Sequence, residues 1–190
     1  MKTFFSTVLV LLFQLSIHLN VESAHAETTV LCDGPVDNES SGAALFSTAP
    51  KSELVNPVSG AIFPVYLIQP DNGLSSYKSM ILVPGGTGGA AGLIGRAEQL
   101  RSVGILSILF DPDGRGLAEG QEDQGGSIHQ AALAEVIRMA AELPCVDNAY
   151  LGIFTNSYGI TMGAGALAGR DERRRRAFEA DAARGRRAGF

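Results

Sequence analysis

Histidine is scarce in this 190-residue chain. There are three, and two of them, His18 and His25, lie in the first 25 residues. Cysteine is scarcer, with only Cys32 and Cys145. Two cysteines and one remaining imidazole at no tight spacing exclude a zinc centre of the usual Cys/His kind. The two thiols permit one bridge, Cys32–Cys145, in an oxidising compartment; they fit equally as two separate buried thiols. Long apolar runs are also missing. Phe4 to Ile17 is mostly apolar but short for a bilayer span, which excludes stable membrane insertion through it. After Ser157 the chain holds no histidine, and from Arg170 on it holds no Val, Ile or Leu, with Phe178 and Phe190 as its aromatics. That last stretch has no material for another buried strand.

What is present is an ordinary globular composition, 45% apolar, enough for one domain. Lys2, the apolar run and Ala24-His25-Ala26 form the basic, hydrophobic and small-residue regions of a signal peptide over 1–26. The mature chain then starts near Glu27, and the protein is secreted or periplasmic. The net charge of −5 is unevenly spread, since 170–190 carries eight of the fifteen basic residues. The tail is low in complexity, with arginines among Ala, Gly and acids. It reads as an artefactual or unstructured tail rather than a nucleic-acid-binding one, and no nucleic-acid partner is expected.

Residues 27–59 are rich in Ser, Asn, Pro and Gly and read as irregular, with a short strand near Thr29–Cys32. Ala61–Ile68 is the first clear strand, and Pro64 marks it as an edge. Short apolar strands follow at Met80–Val83, Ile105–Phe110 and Ala149–Phe154. Between them, Leu93, Ala97 and Leu100 recur at helical spacing up to Gly104. Asp111–Gly126 is a long polar loop. A second helix runs from Ser127, with Gln130 placed for a capping box, to Pro144. Continuous apolar strands separated by helices predict parallel pairing covered on both faces, an α/β three-layer sandwich. The expected order puts Met80–Val83 between the other two. In such sheets chemistry gathers at the carboxyl ends of the strands.

Three segments at those ends are chemically suggestive. Ile81-Leu82-Val83-Pro84-Gly85-Gly86-Thr87 is a strand running into a glycine-rich loop. Asp111-Pro112-Asp113-Gly114-Arg115-Gly116 continues to Glu119-Gly120. Thr155-Asn156-Ser157-Tyr158-Gly159 closes an apolar strand with a small-residue turn before a Gly/Ala-rich segment. In this order they resemble the α/β-hydrolase family over roughly Ala61–Arg170. The first is similar to the family's oxyanion-hole loop, with Pro84 in the His place. The second resembles Asp-x-Arg-Gly-x-Gly-x-Ser, with one extra residue before Arg115 and Ala118 for the Ser. The third resembles the Gly-x-Ser-x-Gly elbow, with Thr155 for the first Gly.

The resemblance implies acyl transfer from a small-molecule ester or amide, without a cofactor or metal. Ser157 is the implied nucleophile. The implied oxyanion donors are the backbone N–H groups of Tyr158 and of Gly86 or Thr87, each worth about 3–4 kcal/mol in comparable sites. The family's acid and histidine follow later strands, and no histidine follows here. The chain thus reads as an incomplete hydrolase domain over 27–169, silent as it stands, of esterase or peptidase ancestry. His129 reads as a partly exposed helix residue. Asp111 and Asp113 read as turn stabilisers, and Arg115 as the partner of a nearby acid.

Two other classes compete. Gly86-Thr87-Gly88-Gly89-Ala90-Ala91 fits G-x-G-x-x-A between a strand and a helix, and Asp111 ends the next strand. That is a dinucleotide-binding pattern similar to short-chain dehydrogenases. A preceding strand, no Tyr-x-x-x-Lys pair and an exported chain argue against it. The third class is a non-catalytic binding protein on the same fold.

Overall fold

The computed structural model describes Cys32, Ala49 and residues 51–169. The expected signal peptide over 1–26, the 170–190 tail and most of the expected Thr29–Cys32 strand lie outside the described residues. Five strands form one sheet: β1 (Lys51–Val55), β2 (Ile62–Ile68), β3 (Tyr77–Val83), β4 (Leu106–Phe110) and β5 (Val146–Thr155), in the order β1-β2-β4-β3-β5. A 3-10 turn at Ala90–Leu93 leads into α1 (Ile94–Ser102), and α2 (Ser127–Glu142) precedes β5. Residues 159–169, here α3, are helical.

β3 runs parallel to both β4 and β5 and lies between them, as the apolar runs predict. β4 (Leu-Ser-Ile-Leu-Phe) is buried at every residue because helices cover both of its faces. Side chains alternate. Ile108 and Phe110 join Phe63, Val65, Ile81 and the inner face of α2, while Leu109 joins Tyr66, Ile68, Leu82 and Ala97 of α1. These two clusters separate the three layers.

Two expectations fail. β1 falls inside the stretch read as irregular. Its inward side holds a buried Ser52 and a half-buried Leu54, too little apolar character to announce a strand. β2 is therefore no edge, since it pairs antiparallel with β1 on one side and β4 on the other. Pro64 is tolerated because the β2–β4 ladder begins at Val65. The ring removes no ladder donor there, and the Pro64 carbonyl still accepts the Asp111 N–H at 3.2 Å.

α1 ends as expected near Gly104. Gly104 N–H reaches Arg101 O and Ile105 N–H reaches Leu100 O, both at 3.0 Å, the paired bonds of a Schellman stop. The start of α2 differs from expectation. Ser127 is its first residue and makes no capping bond; Gly126 is the N-cap. The cap is supplied from upstream. Asp123 accepts Ile128 N–H at 2.7 Å, Gly126 N–H at 3.1 Å and His129 N–H at 3.3 Å. Gln130 turns back to donate to Gly125 O at 2.9 Å.

Cys32 and Cys145 form a disulfide that ties the chain ahead of β1 to the residue before β5. No described helix is long and apolar enough to cross a membrane.

Candidate active site

Because β3, β4 and β5 are parallel, their carboxyl ends bring three loops to one edge of the sheet. Ser157 stands two residues beyond the end of β5, exposed, with φ 48°. A non-glycine residue in the left-handed region is uncommon and costs energy. Here it is the geometry of a sharp strand-to-helix turn that lifts a serine hydroxyl clear of the sheet. The turn is held from both sides. Asn156 N–H bonds Val83 O at 3.1 Å, and Gly159 N–H bonds Asn156 O at 2.8 Å. A Cβ at Gly159 would lie 2.6 Å from Pro84 O, so the last glycine of the elbow lets α3 start against the end of β3.

The glycine loop lies directly beside Ser157. A Cβ at Gly85 would meet Asn156 O at 2.2 Å and Ser157 Cβ at 3.2 Å. Gly86 and Thr87 follow, both exposed, and Tyr158 is about half exposed. The three sequence-predicted donors and the serine therefore share one surface at the sheet edge. Gly88 N–H closes the loop onto Gly85 O at 3.0 Å.

The Asp111–Gly116 segment braces this edge. Asp111 is buried, and its Oδ1 accepts Ala90 N–H at 2.7 Å while Oδ2 accepts Leu117 N–H at 3.0 Å. The Tyr66 hydroxyl donates to Oδ2 at 3.4 Å. Burial, then the Asp111 charge and hydrogen bond, push the Tyr66 phenol up to about 12. Asp113 is fully buried and accepts from Asn56 Nδ2 at 2.7 Å and from the Ser59 hydroxyl. The two aspartates do hold turns, and Asp111 has no free oxygen facing solvent for a ribose. That occupancy, with β2 antiparallel beside β4, speaks against the dinucleotide reading.

Arg115 finds its acid in Glu122. Nε and one terminal nitrogen fork onto the carboxylate at 2.5 and 2.7 Å, and the other terminal nitrogen lies 3.5 Å from Gly88 O in the glycine loop. The Glu122 carboxyl is held below its ordinary range, chiefly by the Arg115 hydrogen bond.

His129 corrects an expectation. It is completely buried, not partly exposed. Its Nδ1 accepts Gly125 N–H at 3.0 Å and its Nε2 lies 2.9 Å from Asp113 O. Both ring nitrogens are thus engaged away from Ser157. His129 is the one histidine among the described residues, so none of them presents an imidazole to the Ser157 hydroxyl. No group of residues suited to a metal ion occurs among the described residues.

Sequence reasoning missed Asp123 and Glu122, which organise the approach to α2 and anchor Arg115. Both sit in a run of polar residues, where nothing local distinguishes a buried cap from a solvated charge.

No protein-family model matches the chain, and no curated protein does. Solved structures do match it. Est1E from Butyrivibrio proteoclasticus, bound to ferulic acid, aligns with a TM-score of 0.55 at 20% identity, over 63% of this chain and 48% of that one. The α/β hydrolase GrgF from Penicillium sp. sh18 aligns at 0.53 and 18%, over 62% of this chain and 40% of that one. DcsB in complex with its substrate analogue aligns at 0.53 and 23%, with the same coverage. This chain spans less than half the length of each. At such identities the likeness is one of fold, and the described residues form part of the α/β-hydrolase fold.

Proposed function

We propose that this chain is an exported serine hydrolase-like protein whose chemistry is acyl transfer on ester or amide bonds. Ser157 is the nucleophile, and the amides of Tyr158 and of Gly86 or Thr87 stabilise the oxyanion. The single observation that carries the reading is the left-handed φ of Ser157 at the carboxyl end of β5, with Gly85 packed against it. A serine hydroxyl needs a base to take its proton. His129 is committed elsewhere, so no imidazole among the described residues serves Ser157, and on this reading they are catalytically silent.

The test is hydrolysis of p-nitrophenyl acetate by the mature chain and by Ser157→Ala. The two rates should be equal without additives. Added imidazole should raise the wild-type rate above that of the variant, by supplying the missing base. Turnover above the variant without imidazole would show a base within the chain. Equal rates with imidazole would remove Ser157 from the reaction and favour a binding role. Export is checked by mass spectrometry of the protein outside the cytoplasm, where the N-terminus should lie near Glu27.

A further inference from the structure

The acyl-transfer reading leaves one buried titratable cluster without a task. His129 sits in the first turn of α2 with two contacts at Nδ1 that exclude each other. Gly125 N–H donates to Nδ1 at 3.0 Å, which requires a bare lone pair. Asp123 Oδ1 lies 3.1 Å from the same nitrogen, a contact that is favourable only when Nδ1 carries hydrogen. Nε2 faces Asp113 O at 2.9 Å and so holds the hydrogen of the neutral ring.

The segment between these partners is under conformational load. Gln124 adopts φ 54°, uncommon for a non-glycine residue, and its N–H is held by Glu122 Oε1 at 2.7 Å. A Cβ on the next residue, Gly125, would meet Met162 N and Thr161 Cβ at 3.5 Å and Tyr158 Cε1 at 3.8 Å. The 124–126 turn therefore lies against α3 and against the residue that follows Ser157.

We propose that His129 is a proton-operated latch that holds the 124–126 turn against the elbow when neutral and releases it when protonated. A proton from solvent adds to Nδ1 and no covalent bond breaks. The new N–H turns to Asp123 Oδ1, and the buried Gly125 N–H loses its acceptor. The turn then moves to satisfy that donor, and the load at Gln124 relaxes. The charged groups facing the ring favour two stable settings. Asp123 and Glu122 (3.7 Å from Nδ1) stand ready for the protonated ring. Arg115 is neutralised by its fork onto Glu122, and the Asp113 carboxylate is occupied by Asn56 and Ser59. Just ahead of α3, Tyr158 Cε1 lies 3.8 Å from where a Cβ on Gly125 would stand and brings no charge. The latch does not depend on acyl chemistry at Ser157.

Hydrogen exchange of the whole mature chain, read by mass spectrometry and corrected for intrinsic rates, tests it. As the pH is lowered from neutral, the peptide covering 121–130 should lose protection by about five- to tenfold, the worth of one hydrogen bond. The peptide covering 93–104 should not change. His129→Asn keeps an acceptor near the Nδ1 position and takes no proton, so its 121–130 peptide should stay protected throughout. Constant protection in the wild type, equal loss in His129→Asn, or parallel loss in both peptides would overturn the proposal. If His129→Asn does not fold, the wild-type comparison of the two peptides decides alone.

Discussion

Thr155 Cγ2 lies 2.7 Å from where a Cβ on Gly163 would stand. Thr155 occupies the place of the first glycine in the elbow pattern, where a branched side chain crowds the turn. The crowding is displaced onto α3, which carries no side chain at Gly163. The departure from the pattern thus has its accommodation eight residues on.

Gly163→Ala should therefore destabilise the protein, although alanine suits a helix better. The propensity gain is about 1 kcal/mol, and overpacking against Thr155 costs about 1–3 kcal/mol. With Thr155→Ala already in place, Gly163→Ala should become stabilising. Urea midpoints of the four chains in a double-mutant cycle check this; additive effects would show that the two residues do not touch.

Glu122→Gln should weaken the brace behind the glycine loop by roughly 1.5–3 kcal/mol at neutral pH, since it removes a charged fork from a buried Arg115. The sign with pH follows from the lowered Glu122 pKa. Stability from this carboxylate is complete above its ordinary unfolded value, about 4.3, and is lost as pH falls through the lowered folded value. Denaturant titrations should find the gap between wild type and Glu122→Gln wide at pH 7 and closing in acid.

Reduction of Cys32–Cys145 should cost up to about 4–5 kcal/mol on the chain-entropy estimate for a bridge closing a long loop, here 113 residues apart. Thermal melts with and without dithiothreitol measure it. The double variant Cys32→Ser/Cys145→Ser should melt with the reduced form and ignore the reductant.

β5 has a strand partner on one side only among the described residues, and its Leu151, Ile153 and Phe154 remain half-buried. A ten-residue strand edge of this kind invites pairing with another chain. This chain is expected to self-associate through that edge. Sedimentation velocity should show species above the monomer, and Tyr150→Glu, which places a charge at an exposed site on β5, should reduce them.

Local pattern was a sound guide wherever an element is defined by its own residues. The apolar runs at Met80–Val83, Ile105–Phe110 and Ala149–Phe154 identify three parallel strands, of which β4 is buried throughout while β5 stays largely half-buried or exposed. The structure lengthens β3 back to Tyr77 and spreads β5 to Val146–Thr155. The small-residue turn around Ser157 and the Arg115 pairing were legible for the same reason. β1 was not, because a strand with one half-buried leucine inward has no periodic signal. Pro64 misled because its cost depends on where the neighbouring ladder begins, which no single strand encodes.

The sequence by itself thus determined the three parallel strands, the two helices between them and the loops gathered at the strands' carboxyl ends. Hydrophobic periodicity and turn residues act within a few positions, so that much is written locally. Only the tertiary structure decided that β2 is interior, that Asp123 caps α2 in place of Ser127, and that His129 is buried with both nitrogens engaged. Each of these depends on which distant or loop-borne group arrives beside it. A polar residue looks the same in sequence whether its partner is water or a buried amide. The fold alone supplies that partner, and with it the choice between a solvated histidine and a buried one with both ring nitrogens engaged.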